Sequence, residues 1–226
     1  MLIDAGNNEN GTEVVDYVRE QGIDKIDYLV GTHPHADHIG GLDDVILGLD
    51  IGKIYMPKVQ SNTKTFREVL EAAQKKNMKI KTARAGVEIL NKENLTINIV
   101  APNSDEYEEL NDYSAVIRLV YGENAFLFTG DAEEVSEKEI VGEVHADVLK
   151  VGHHGSSSST SDAFLQKVSP TYAYIPCGEG NSYGHPHRET VQKLQAADVT
   201  IYRADKDGTV IFDSDGVRLE VQRKWR

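Results

Sequence analysis

The sequence predicts an α/β fold in which two sheets pack face to face and helices lie outside. Three observations predict it. Strand-like and helix-like segments alternate along the chain in two similar halves. No low-complexity linker separates those halves, because "SSSST" at 156–160 is only a short loop. The 226 residues, 39% of them hydrophobic, suffice for one α/β core, so residues 1–226 are read as a single domain.

Taken in order, residues 2–4 read as the tail of a strand with no earlier strand to pair with. "TEVVDYVREQG" (12–22) is a helix: Val14, Val15 and Val18 fall at helical spacing and Gly22 suits the C-terminal cap. "IDYLVGTH" (26–33) is a buried strand that delivers a histidine-rich segment to its C-terminal end. Gly40 and Gly41 are expected to turn the chain tightly before a short helix near 42–49. A strand at 53–57 and a helix at 64–77 follow, the helix with Phe66, Val69, Leu70 and Ala73 on one face. Short strands are expected near 79–82, 87–90 and 95–101.

In the second half, 114–122 and 124–131 form a hairpin across Gly122–Asn124. Then come a helix at 132–141, a strand at 146–152 and a helix at 161–168 opened by a Ser or Asp cap. A strand at 171–177, a helix at 188–197 and a strand at 199–204 precede a final hairpin at 208–222 on an Asp-Gly turn.

The net charge of -13 disfavours an unspecific grip on phosphate backbones, which normally needs a basic footprint. A phosphate substrate stays open, because bound cations can supply positive charge locally. The one cysteine, Cys177, excludes an internal disulfide framework. No apolar run approaches the length of a membrane span, and no signal peptide opens the chain. The abrupt start reads as that of an excised domain or an unusually short N-terminus, with any targeting or membrane segment upstream.

Seven of the eight histidines fall in three tight clusters, each following a predicted buried strand, the third after a longer loop. In "HPHADH" (33–38), His33 and His35 point the same way in extended backbone. Asp37 and His38 can turn toward a neighbouring point once the chain bends at the glycines. The segment therefore offers His33/His35 to one ion and Asp37/His38 to another. Imidazole and carboxylate without thiolate suits zinc, manganese or iron without choosing among them.

In "FLFTGDAEE" (126–134), Asp131 follows an apolar strand and a glycine, where a carboxylate can bridge two cations. A turn or helix cap is the blander reading of the same pattern, with Thr129 and Gly130 as turn-formers. "LKVGHHGSSSSTS" (149–161) ends another strand with His153 and His154. Adjacent side chains cannot both face one ion from a regular strand, so one is a ligand and the other faces substrate or a supporting position. Gly155 permits an unusual backbone angle. The serines from Ser156 onward suit an anion or a solvated loop equally, and Lys150 reads as strand-flanking. In "GNSYGHPHRET" (180–190), Asn181, Tyr183 and His185 are donors suited to phosphate or carboxylate oxygens. His187 reads as a helix cap or an exposed residue, and His145 as surface.

"THPHADHIGG", "FTGDAEE" and "LKVGHHGSSSSTS" resemble the metallo-β-lactamase superfamily of binuclear hydrolases. The order "NDYSAVIRLVYGENAFLFTGDAEE", "ADVLKVGHHGS", "GNSYGHPHRET" and "YRADKDGTVIF" is more closely similar to one branch. That branch is the metallo-hydrolase domain of competence-type DNA-uptake proteins (the ComEC/Rec2 group) and its free-standing relatives. The resemblance implies an αββα sandwich, here without the family's first strand pair, and two divalent ions, Zn or Mn. It puts His33 and His35 on metal one, and Asp37 and His38 on metal two. Asp131 bridges, and His154, or else His153, completes metal two. Asp37, Asp131, His153 and His185 become the catalytic set. His153, Ser156, Asn181, Tyr183 and His185 become the substrate contacts, and Asp4 of "LIDAG" a support for the metal loop.

One departure matters. The superfamily usually supplies a third histidine to metal one, yet no histidine lies between His38 and His145. Asn111, Asp112 or Ser114 of "LNDYSAV" would fill or border the gap through oxygen. Such a site is weaker for zinc and relatively better for manganese; occupancy by a single metal is the other outcome.

The expected activity is hydrolysis of a phosphate-containing substrate, DNA or another nucleic acid, by a metal-activated water. A hydrolase of a small or cell-wall-linked phosphate ester, such as a phosphorylcholine ester, is the alternative. A metal-stabilised binding domain without turnover is the third reading. The resemblance also implies an extracytoplasmic or secreted location, as part of a larger membrane protein, with no membrane contact from this segment itself. Oligomeric state stays open.

Overall fold

The structure, a computed structural model, describes residues 1–224. The chain gathers into two compact units. The first comprises Met1–Ala83 and Asp105–Ala115, the second Arg84–Ser104 and the chain from Val116 onward.

The first unit is built on a parallel sheet of β1 (Leu2–Ile3), β2 (Lys25–Val30), β3 (Asp50–Met56) and β4 (Ile80–Thr82), in that order. Parallel neighbours need crossovers, supplied here by α1 (Gly11–Glu20), α2 (Ala36–Ile39), α3 (Leu42–Gly48) and α4 (Lys64–Lys75). Helix α1 buries Val15 and Val18; α4 starts at a Thr63 cap, whose hydroxyl accepts from Phe66 N. The core joins these to Leu29, Ile39, Leu42, Ile46 and Ile54. Burying each such side chain contributes about 1.5–3 kcal/mol. Leu70, expected on the inner face of α4, is largely exposed, and Ala72 is buried instead. The inward stripe runs Val69, Ala72, Ala73 at i, i+3 and i+4, which leaves Leu70 about 100° round the helix from Val69.

In the second unit seven strands form one sheet. They are β5 (Val87–Lys92), β6 (Leu95–Ala101), β7 (Val116–Tyr121), β8 (Asn124–Phe128), β9 (Val148–Lys150), β10 (Tyr172–Ile175) and β11 (Thr200–Arg203), ordered β11-β10-β9-β8-β7-β6-β5. Strands β5 to β8 are antiparallel neighbours; β8 to β11 are parallel. The helices here are α5 (Glu134–Glu139), α6 (Asp162–Val168), α7 (Arg188–Ala196) and α8 (Ala204–Asp207). Phe164, Leu165 and Val168 of α6 and Leu194 of α7 pack with Leu127, Leu149 and Ile175. A separate two-stranded hairpin, β12 (Thr209–Ser214) with β13 (Leu219–Lys224), closes the described chain.

The two halves are therefore less alike than the sequence suggests, one wholly parallel and the other mixed. The strand expected at 146–152 is only Val148–Lys150; the chain leaves it as a 3-10 turn over Gly152–Gly155. That shortening takes both of its histidines off the sheet. Helix α8, four residues of "ADKD", has no apolar period that a sequence reading could detect.

Candidate metal centre

In the first unit, β2 runs between β1 and β3 with Leu29 and Val30 fully buried, and its C-terminal end releases Thr32 and His33 into a buried loop. Asp4, just past β1, organises that loop. Its carboxylate accepts from Thr32 N (2.8 Å), from the Thr32 hydroxyl (2.8 Å) and from His38 Nδ1 (2.7 Å). Burial pushes the Asp4 carboxyl upward, but the His38 charge and hydrogen bond and the Thr32 N–H outweigh it and hold it below the ordinary carboxylate range.

These contacts fix tautomers. A carboxylate can only accept, so His38 donates from Nδ1, and whenever the ring is neutral its lone pair is on Nε2, turned outward. Nε2 lies 3.8 Å from Asp37 Oδ2. The Thr32 hydroxyl proton goes to Asp4, so at 3.1 Å its oxygen accepts from His33 Nδ1, and His33 Nε2 is the lone pair. His33 Nε2 lies 3.0 Å from His35 Nδ1. Two imidazole nitrogens so placed share either a proton or a cation. The His33 and His38 rings each have the Nδ1 side occupied by a protein oxygen, as metal-binding imidazoles require.

The bend that brings Asp37 and His38 round comes earlier than expected. It is the helical turn α2, starting at Ala36, and not the glycine pair. Gly40 and Gly41 have ordinary negative φ of -57° and -89°. They are needed for close approach: a Cβ on Gly40 would overlap Asn8 N, and one on Gly41 would lie 2.5 Å from Ala5 O. The backbone pair Ala5 N to His38 O (2.8 Å) ties the same segments together. The 3-10 turn Leu110–Tyr113 belongs to this unit as well; Asn111, Asp112 and Ser114 are buried, and Ala115 N donates to Thr32 O (2.9 Å). The oxygen donors suggested for the missing histidine thus sit beside the loop that holds His33.

In the second unit, Asp131 follows β8 and is buried. The ends of β8 and β9 are laced together: Thr129 Oγ1 donates to Lys150 O and Lys150 Nζ to Gly130 O, both at 2.7 Å. Lys150 Nζ is also 3.8 Å from Asp131 Oδ1, so this lysine does more than flank a strand. His153 and His154 both take left-handed backbone, φ 44° and 53°, a costly conformation for a residue with a Cβ. The twist separates their side chains. His154 Nδ1 donates to Pro176 O (2.6 Å), and its Nε2 lies 3.2 Å from Asp131 Oδ2. His153 Nδ1 pairs instead with Glu133 Oε1 (2.8 Å), which also accepts from Ser158 Oγ (2.9 Å). Of the two, His154 is the one whose Nε2 faces Asp131.

His185 lies among the rings of His153 (5.3 Å), His187 (4.8 Å) and Tyr183 (5.7 Å). Burial first, then repulsion from His153, His187 and His154, pushes its pKa down to about 4, so it is neutral at physiological pH. The other expected substrate contacts are engaged internally. Asn181 gives its amide protons to Gly178 O and His185 O and accepts from His185 N. The Ser156 hydroxyl pairs with Ser158 Oγ at 2.8 Å. His187 opens α7 without capping it through its ring; Nδ1 accepts from Ser157 N at 3.0 Å and so ties the serine loop down. His145 is exposed, as read from the sequence.

Glu133, Lys150 and His187 are the residues that sequence reasoning did not place here. Glu133 stands two residues past Asp131, inside the helix expected at 132–141, and in the structure it precedes α5. Glu137, buried on α5, accepts from Thr160 N and Ser161 N (2.5 and 2.9 Å) and pins the serine loop. Burial raises its carboxyl above the ordinary range.

An α/β protein whose strand ends present imidazoles and carboxylates in these sets carries donors suited to divalent metal ions. The chain belongs to the metallo-β-lactamase superfamily, a superfamily of metal-dependent hydrolases, whose match covers residues 1–179. It is similar to ComE operon protein 3 of Bacillus subtilis (strain 168), 31% identical over 88% of this chain and 26% of that protein. It is also similar to competence protein ComA of Neisseria gonorrhoeae, 28% identical over 94% of this chain and 29% of that protein. Recombination protein 2 of Haemophilus influenzae is 27% identical over 99% and 27%. The chain thus spans little more than a quarter of the length of these relatives.

Among solved structures it matches the metallo-beta-lactamase fold protein YhfI from Bacillus subtilis, with TM-score 0.55, 14% identity and coverage of 90% of this chain and 83% of that one. CmlA, a diiron β-hydroxylase from Streptomyces venezuelae, matches with TM-score 0.52 and 14% identity over 80% of this chain and 44% of that one. Such identities establish the fold, the αββα class expected from the sequence. Among the described residues no helix is long and apolar enough to cross a membrane.

Proposed function

We propose that the chain is a metal-dependent phosphodiesterase acting on nucleic acid. In this reading His33 and His35 serve one divalent ion, Zn or Mn; Asp37, His38 and His154 serve a second; and Asp131 serves both. Asn111, Asp112 or Ser114 supplies oxygen where relatives use a histidine. The observation that supports it best is the shared arrangement of His33, His38 and His154. Each has Nδ1 bonded to a protein oxygen, so each offers Nε2 as a ligand. The sequence similarity to competence proteins supports nucleic acid as the substrate.

Divalent ions held by these residues would supply an acidified water and positive charge for the phosphate oxygens. The chain's own groups do the rest. Asp4 and Thr32 keep His33 and His38 in the binding tautomer. Lys150 tempers the Asp131 charge. His185, held neutral, and His153, in the doubly protonated form whose Nδ1 proton Glu133 accepts, donate hydrogen bonds to phosphate oxygens as charge develops there. The net charge of -13 favours a second reading, a hydrolase of a small phosphate ester, because such a substrate needs no basic track.

The deciding experiment is metal analysis of the purified chain, followed by Mn- and Zn-supported hydrolysis of single- and double-stranded DNA beside bis(p-nitrophenyl) phosphate. Cleavage of DNA, abolished in Asp131→Ala and His154→Ala, is the expected result. Cleavage of the small diester alone moves the assignment to the small ester. Turnover of either that survives Asp131→Ala overturns both readings.

A further inference from the structure

Tyr183 is 78% exposed, far more than Tyr17 (48%) or Tyr121 (36%). A ring so open leaves a face free for contact. Its loop is nevertheless well braced. Asn181 Nδ2 donates to His185 O (2.6 Å) and Gly178 O (2.9 Å), Asn181 Oδ1 accepts from His185 N (2.9 Å), and Gly184 N donates to Asn181 O (3.2 Å). Four hydrogen bonds thus present the ring from a fixed scaffold and reduce the ordering cost of anything that binds it.

The ring also ends a column. Tyr183 lies near-parallel to His185 (5.7 Å between centroids, 22°), and His185 is near-parallel to His154 (6.4 Å, 19°). His153 and His187 stand edge-on to His185, each at 76°. The solvent end of the column is therefore Tyr183, and its inner end is the histidine whose Nε2 meets Asp131.

We infer that Tyr183 is a stacking platform for an unpaired nucleobase, which holds a single strand with a neighbouring phosphate toward His154 and Asp131. This rests on the phosphodiesterase reading and narrows its substrate to single-stranded nucleic acid. Every base has a π-face to offer, and bases inside a duplex have both faces covered. A chain of net charge -13 lacks the electrostatic grip that binding of single- or double-stranded DNA normally uses. Stacking is a grip that needs no charge.

The test separates this inference from the reading it rests on by measuring binding without turnover. A fluorescein-labelled single-stranded oligodeoxynucleotide is titrated with the 226-residue chain in EDTA. A second strand of the same length carries abasic spacers in place of bases. Wild type should bind the base-bearing strand about 5- to 150-fold more tightly, which corresponds to about 1–3 kcal/mol for one stacked base. Tyr183→Ala should erase that difference, leaving affinity for the abasic strand unchanged, and Tyr183→Phe should keep it. Equal binding of both strands by wild type overturns the inference. So does a Tyr183→Phe loss as large as that of Tyr183→Ala, because the hydroxyl would then be the contact. If binding behaves as expected but no DNA is cleaved with Mn or Zn, the platform stands and the nuclease assignment falls.

Discussion

Asp4→Asn isolates the tautomer control of the metal loop. The carboxylate accepts three hydrogen bonds, two of them, from the Thr32 hydroxyl and His38 Nδ1, on the same oxygen Oδ2. An amide of the same shape keeps one acceptor oxygen, which Thr32 N can still use. On the other side it places an NH2 against two donors. Either donor meets donor, which costs about 1–3 kcal/mol for the unsatisfied group. Or His38 moves its proton to Nε2 and accepts from the amide, which blocks the nitrogen offered to the metal.

Both outcomes lower metal affinity, by about 10- to 100-fold if the loss follows other outer partners of metal-binding imidazoles. Loss of the charge-assisted bonds should also reduce folding stability by about 1.5–3 kcal/mol. Calorimetric titration with Mn2+ and Zn2+ measures the first effect and urea unfolding the second. Nitrogen NMR of the His38 ring reads the tautomer directly. An Asp4→Asn protein that binds both ions within twofold of wild type, with His38 still protonated on Nδ1, would refute the reasoning.

Gly155→Ala should detach the histidine loops from each other. Gly155 has φ 83°, and a Cβ there would lie 2.5 Å from Pro186 Cβ, a rigid ring beside His185. The expected result is a loss of at least about 1 kcal/mol of stability together with weaker metal binding, read by urea unfolding and calorimetry; unchanged values would show that the loops do not lean on this contact. Glu137→Gln should change how stability depends on pH. Burial raises the Glu137 carboxyl in the folded chain, so the folded state binds its proton more tightly than the unfolded state does. Its contribution is greatest below the unfolded pKa of about 4.3 and is lost as pH rises through the folded value. Wild type should therefore compare better with Glu137→Gln near pH 4 than near pH 7 in urea unfolding, and a difference that ignores pH would exclude the burial account.

Most of the strand and helix order could be read from apolar spacing, because β2 and the faces of α1 and α4, Leu70 excepted, bury what their periods say they should. The misreadings lie where tertiary contact overrides local pattern. Gly40 and Gly41 look like a turn and are a close approach, a distinction that depends on Asn8 and Ala5. The end of β9 looks extended, and the chain instead pays for two left-handed histidines. Spacing alone could not say which histidine turns its Nε2 toward Asp131. The choice depends on Pro176 O and Glu133, each about 20 residues away in sequence. Asn181 shows the reverse error: its donors suit a phosphate, yet the loop it belongs to uses them all.

Residue type identifies where ligands can be, and hydrogen-bond partners decide whether each one is ready. His33, His38 and His154 leave different loops, yet all have Nδ1 committed to oxygen: a hydroxyl, a carboxylate and a backbone carbonyl. Only the carboxylate and the carbonyl enforce the tautomer alone. The hydroxyl of Thr32 could donate or accept, and it accepts from His33 because its own proton is given to Asp4. Asp4 thus sets two imidazoles at once, one directly and one through Thr32. The Thr32 hydroxyl is then as necessary to His33 as Asp4 is to His38. Thr32→Val, which keeps the shape and removes the relay, should weaken the ion held by His33 and His35 and leave the His38 tautomer intact. A loss spread equally over both ions would mean that the loop fails as a whole and that no relay exists.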